Sequence, residues 1–209
     1  MPLKSTDDAF LSSVRPSRSP MCSFSRESFF QFRLTTGLLW EEAQRGGTSL
    51  RDRLMPTMAD FGRRLTGGGL QATVAIARPA PFDDFAIALQ VRSPRVSEGR
   101  SMHGVVPMAY HQMRNGTDAR PVTSALMEIY EELFGAREDD EAGFAAHPGM
   151  AWLRDKARIE LTGLSLNLVN GNYDFNLLIC VTEPAYWEQY ARGWTSGWEA
   201  SRVFWLSSR

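Results

Sequence analysis

Glu128, Glu131 and Glu132 lie at i, i+3 and i+4 within the stretch ALMEIYEELFG, residues 125–135. A helix turns about 100° per residue, so three residues at this spacing fall on one arc of roughly 100°. Carboxylates gathered on one face can converge on a hard divalent cation. Mg²⁺ takes oxygen ligands, commonly one or two carboxylates together with substrate phosphates. The same residues repel one another, which costs helix stability unless a cation or solvent screens them. Spacing alone leaves two readings open: a metal-binding helix, or an acidic amphipathic helix bathed in water.

The other chemistry-bearing residue types are sparse. There are three histidines, and His103 and His111 flank one expected strand, so in an extended chain they stand more than about 20 Å apart. They share a metal only if the segment around Pro107 folds back. No G-x-S-x-G elbow is present, and TGGG at 66–69 lacks the lysine and the glycine spacing of a phosphate or dinucleotide loop, so it reads as a helix stop. Trp187, Tyr190, Trp194 and Trp198 recur near helical spacing. Such rings can stack on a nucleobase, but the plainer expectation is that they pack a core or an interface. Cys22 and Cys180 form neither a CxxC site nor a disulfide framework.

Around these residues the chain has the composition of a globular protein, with 43% hydrophobic and 22% charged residues. A formal net charge of −1 gives no basic excess for non-specific nucleic-acid binding, so nucleic acid is not an expected partner. No apolar run approaches the length of a membrane span and no signal peptide is evident, which makes a soluble, cytoplasmic protein the expectation. Residues 1–28 are rich in Ser, Pro and Arg without a period and read as a mobile arm. Residues 29–69 read as an N-terminal extension, in which FFQFRLTTGLLWEEA starts as a strand and turns into a short helix. A second helix follows, N-capped by Ser49 and kinked at Pro56. From residue 70 to 209 the order becomes LQATVAIA and FAIALQVRS as a hairpin, HGVVPMAYHQM as a strand broken by Pro107, the acidic helix, and REDDEAGFAAHPG as a loop. Then MAWLRDKARIEL is a helix or a helix running into a strand, two strands flank the NGN turn at 170–172, a helix is interrupted at Gly193, and SRVFWL closes as a strand. This order predicts an α+β domain.

The stretch MEIYEELFG resembles the second half of the Nudix box, R-E-U-x-E-E-x-G-U with U aliphatic, the signature of the Nudix hydrolases. Glu128 aligns with the first glutamate, Ile129 with the aliphatic position, and Glu131 and Glu132 with the pair. FAIALQVRSPRV is similar to the family strand that ends in arginine before a variable loop, and HGVVPMAYHQ stands where the family turns into its box. The resemblance covers roughly residues 70–206. It departs at Met127, where the box has arginine, at Met113 and Ala119, where its upstream half has glycine and glutamate, and at Gly135, one residue late. Pro107 is followed by Met108 and Ala109 in place of paired glycines.

The resemblance implies a mixed sheet between helices and Mg²⁺-dependent hydrolysis of a nucleoside diphosphate linked to another moiety. Glu128, Glu131 and Glu132 would be the metal ligands and catalytic groups, and Arg92 and Arg95 would contact phosphates. Glu128, Glu160 and Glu183, in that order, are the candidates for general base, although Glu160 also suits an ion pair with Arg158 or Lys156. It implies a small nucleotide-like ligand and a homodimer. The alternative is a degenerate Nudix-fold module without turnover that binds a nucleotide-like ligand or a protein partner.

Overall fold

A computed structural model describes residues 29–58, 60, 68–96, 99–111, 120–138 and 140–209. The arm expected over 1–28, together with Cys22, Met113 and Ala119, lies outside these residues.

The chain forms two compact units. One comprises Gly69–Leu164 and Asp174–Arg209, and the other Met1–Gly68 with Ser165–Tyr173. In the second unit the helix α1 runs without a break over Phe29–Gln44, where the sequence predicted a strand leading into a short helix. The aromatic run FFQF favours a strand locally, but the segment is helical from its first described residue. Helix α2, Ser49–Leu54, gives way at Met55–Thr57 to a 3-10 turn containing Pro56, as the proline predicts. Its cap is not Ser49 but Thr48, which makes no side-chain bond. The exposed amides are taken instead by the Glu42 carboxylate of α1, which accepts from Leu50 N at 2.6 Å and Arg51 N at 3.0 Å. Those bonds hold the Glu42 pKa below its usual range. Arg51 completes the unit by donating to the carbonyls of Leu39, Leu168 and Val169.

The first unit is built on β1 (Gly68–Ala77), β2 (Phe85–Arg92), β3 (His103–Val105), β4 (Met108–Tyr110), β5 (Arg158–Leu166), β6 (Tyr173–Val181) and β7 (Ala200–Ser207). They form one sheet in the order β3-β2-β1-β6-β5, with β4 paired to β1 and β7 to β2. The alternation of the sequence is the alternation of burial. Leu70, Ala72, Val74 and Ile76 of β1, Ala86, Ala88 and Gln90 of β2, and Phe175, Leu177, Ile179 and Val181 of β6 are buried. The helix stop predicted at TGGG falls partly outside the described residues; its last two glycines, Gly68 and Gly69, open β1. A Cβ on Gly68 would meet the Tyr173 ring within 2.7 Å, and one on Gly69 would collide with the Asp174 carboxylate.

β1 and β2 pair antiparallel near their turn, at Ala75↔Ile87, Ile76↔Ala86 and Ala77↔Phe85. Farther along, β3 pairs with β2 and β4 with β1, so the segment broken at Pro107 supplies one short strand to each. Helix α3 (Pro121–Leu133) packs against β4 and against α5 (Pro148–Lys156). The acidic stretch read as a loop contains a further helix, α4, over Glu141–Ala146, capped by Asp140 accepting from Gly143 N at 2.9 Å. MAWLRDKARIEL is a helix running into a strand, α5 into β5. Helix α6 (Pro184–Gln189) is followed by a 3-10 turn at Ala191–Gly193, so the predicted interruption falls before Gly193 and includes it. The α+β class read from the element order is the class observed. Among the described residues no helix is long and apolar enough to cross a membrane.

Candidate functional site

Helix α3 starts at Pro121, whose fixed φ suits the first helical position, and stops at Gly135, which takes φ +67°. The glycine that falls one place late against the box is thus the helix stop. Ala125, Leu126, Met127, Ile129 and Leu133 are buried, which fixes the rotation of the helix. That rotation buries Glu128 and Glu132 as well, while Glu131 remains part-exposed. The three glutamates therefore do not share one environment. Met127, at the place of the box arginine, is itself a core residue.

Glu132 is 7% exposed and neither of its carboxylate oxygens completes a hydrogen bond. Its pKa is pushed well above the usual carboxylate range, first by burial and then by the charges of Glu128 and Glu199; Arg92 and the nearby Met108 amide act in the opposite sense. An ionised carboxylate removed from water without partners is costly, and it is relieved by taking up a proton or by a cation beside it.

Glu199 was not among the residues singled out from the sequence, and neither was the Met108 backbone. Both are brought here by topology. β7 pairs along β2 from Ala86↔Ser207 to Val91↔Arg202, then shifts register so that Arg92 faces Ala200. The extra residue is a bulge, a device that re-aims side chains beside it. Ser93 N donates to Glu199 O at 2.7 Å, and the Arg92 guanidinium reaches Glu199 at 3.5 Å. Arg92 also donates through Nη1 to Met108 O at 3.2 Å, while its buried Nε–H has no acceptor. Burial raises the Glu199 pKa and Arg92 opposes the rise. On the other side, Thr195 N and Gly197 N donate to Leu133 O and Glu132 O, at 3.1 and 2.9 Å. The turn before β7 thus takes two carbonyls at the end of α3 that the helix itself leaves unpaired. A strand signal at SRVFWL is legible in the sequence, but its register against β2 is not.

The remaining predicted residues make other contacts. Arg95 is exposed, with its amide bonded to Ser93 Oγ. Glu160 pairs with Arg158 at 2.5 Å on a largely exposed part of β5, which is the ion pair anticipated for it. Glu183 precedes α6 and has a buried Oε2 without a partner. His103 packs on Phe204, whereas His111 packs on Phe175 and bonds Ser124 Oγ at 3.0 Å, so the two have different neighbours. Trp187 and Trp194 pack on Trp205, with ring centroids 4.8 and 5.4 Å apart, and Tyr190 packs on Tyr186. The aromatic stripe is therefore mainly self-packing.

Among the described residues no group of three or more His, Cys, Asp or Glu side chains is arranged to enclose a metal ion. Glu128 and Glu132 are two buried carboxylates, and Glu132 has both oxygens without a completed hydrogen bond.

No family model matches the chain, and no curated protein matches it. Solved structures similar to it include a Nudix hydrolase from M. smegmatis, RenU, at 13% identity and TM-score 0.38 over 68% of this chain and 70% of that one. A bifunctional NMN adenylyltransferase/ADP ribose pyrophosphatase from Francisella tularensis matches at 13% identity and TM-score 0.46 over 86% of this chain. This chain spans only 44% of that protein's length. The NUDIX domain of Shewanella oneidensis NrtR, complexed with ADP ribose, matches at 11% identity and TM-score 0.42 over 73% of this chain and 82% of that one. The chain is similar to these Nudix structures in fold, and likenesses of this strength say nothing of what it does.

Proposed function

We propose that the chain hydrolyses a nucleoside diphosphate linked to another moiety in a Mg²⁺-dependent reaction of the Nudix type. The observation that carries this reading is the Glu132 carboxylate, buried in the field of Glu128 with only the nearby Met108 amide and Arg92 to offset its charge. A buried acid with so little to offset its charge, the Met108 amide and Arg92 alone, is a poor structural element and a good cation ligand. The resemblance of MEIYEELFG to the Nudix box supports the same residues.

In this reading Glu128 and Glu132 would hold the cation, together with Glu131, which is part-exposed on the same helix. Mg²⁺ bound there supplies charge neutralisation of the diphosphate and a lowered pKa for an attacking water. Arg92 offsets the acidic cluster in the metal-free protein and is the first candidate phosphate contact. Arg95, exposed in the following loop, is the second phosphate contact. Glu128 stands first among the general-base candidates through its match to the first glutamate of the box.

Incubation of the full chain with a panel of dinucleoside polyphosphates and nucleoside diphosphate sugars, with Mg²⁺ or with chelator, tests the proposal. Release of nucleoside monophosphate that needs Mg²⁺ and falls at least 100-fold in Glu132→Gln is expected. A panel left intact by a folded, Mg²⁺-supplied protein overturns it in favour of a binding module without turnover.

A further inference from the structure

We propose that Trp198 is the surface on which the base of the bound nucleotide stacks, which makes it a specificity residue of the Glu132–Arg92 site. The inference rests on the function proposed above and adds to it the part of the ligand that the acidic cluster does not address. Trp198 is 59% exposed, an unusual state for a tryptophan, which is highly buried on average. Trp187, Trp194 and Trp205 pack on one another, whereas Trp198 takes no part in that cluster among the described residues.

Exposure alone would mark a loose loop tip, but this backbone is tied on both sides. Before it, Thr195 N and Gly197 N are bonded to the last carbonyls of α3. After it, Ala200 N donates to Gly197 O at 3.3 Å and Ser93 N donates to Glu199 O at 2.7 Å. The indole therefore projects from a turn whose backbone is fixed.

The turn also lies against the site. A Cβ built on Gly197 would sit 3.4 Å from both Cα and O of Glu132, in van der Waals contact, so the turn packs directly on the end of the helix. Trp198 is one Cα step of about 3.8 Å from that contact. The next residue, Glu199, holds Arg92. A flat aromatic face presented to water, between a residue packed on Glu132 and one paired with Arg92, matches the chemistry of a nucleotide, whose base offers a π-face and whose diphosphate offers the charge. Stacking on one base is worth about 1–3 kcal/mol by alanine substitution, or roughly 5- to 150-fold in affinity.

Calorimetric titration of the full chain in Mg²⁺ with ADP and, separately, with inorganic pyrophosphate separates base from phosphate recognition. Trp198→Ala is expected to weaken ADP binding by roughly 5- to 150-fold while leaving pyrophosphate unchanged, and Trp198→Phe to keep most of the ADP affinity. Equal weakening of both ligands, or ADP affinity that Trp198→Ala does not alter, overturns the stacking role and leaves the hydrolase reading standing. A wild type that binds neither ligand overturns both together.

Discussion

At Glu132, burial and the charges of Glu128 and Glu199 push the carboxyl toward its neutral form, against Arg92 and the Met108 amide. Replacing it by the uncharged, nearly isosteric glutamine removes the repulsion without opening a cavity. The metal-free Glu132→Gln protein is therefore expected to melt at a higher temperature than wild type at neutral pH, by differential scanning fluorimetry. A lower melting temperature would mean that the native carboxylate is satisfied by its surroundings. Arg92 should behave in the opposite way. Its loss leaves Glu199 and Glu132 without their counter-charge and frees Met108 O, and Arg92→Ala is predicted to cost about 3 kcal/mol in urea unfolding. At this scale the sequence was informative where chemistry is local: the i, i+3, i+4 glutamates share a face because helical period fixes it. Glu199 was not legible, because it reaches the cluster through a strand register set some 110 residues away along the chain, between β7 and β2.

Elements are held in place here by single residues that serve a neighbouring element. Gly149, in the first turn of α5, would place a Cβ 3.0 Å from Tyr190, and 3.1 Å from both His147 and Phe134. Gly149→Ala is predicted to destabilise the protein by about 1–3 kcal/mol, the range for overpacking, seen as a lower urea midpoint with unchanged slope. The β1–β2 turn is closed by Arg78, which donates to both oxygens of Asp84 at 2.7 and 2.6 Å, and by Ser207 of β7, which donates to Asp84 as well. These bonds lower the Asp84 pKa from 3.8 to about 2, with the Arg78 bond the largest cause. A depressed carboxylate contributes stability that is present above its unfolded pKa and lost as pH falls through its folded one. Melting temperature should therefore drop between pH 3.8 and about 2 more steeply in wild type than in Asp84→Asn; parallel curves would remove this pair from the account. The sequence predicted the hairpin itself, because the alternation of LQATVAIA and FAIALQVR is the alternation of burial. It did not predict the start of α1, where the aromatic run pointed to a strand, or α4, where Asp140 caps a helix in a segment read as an acidic loop.

At the scale of the molecule, two compact units draw on residues far apart in sequence. Ser165–Tyr173 belongs with the N-terminal helices, not with the strands it connects. Within that unit Arg51 bonds α1 through Leu39 O and the β5–β6 turn through Leu168 O and Val169 O. Arg51→Ala is expected to speed amide hydrogen exchange across Asn167–Asn172 while leaving exchange in β1 and β2 unchanged. No composition shift marks such an insertion, since the turn residues NGN read equally well as a free hairpin tip. The α+β class, by contrast, follows from element order and was legible throughout.

The central claim is that Glu128 and Glu132 bind a divalent cation in the folded protein. A Mg²⁺ titration of melting temperature, on wild type and on Glu128→Gln/Glu132→Gln, tests it most directly. A ligand that binds only the folded state stabilises by mass action, by about 2.7 kcal/mol at 100 times Kd. A saturable rise in wild type that the double variant loses is the expected result. Equal rises in both proteins, or no rise at millimolar Mg²⁺, would contradict it.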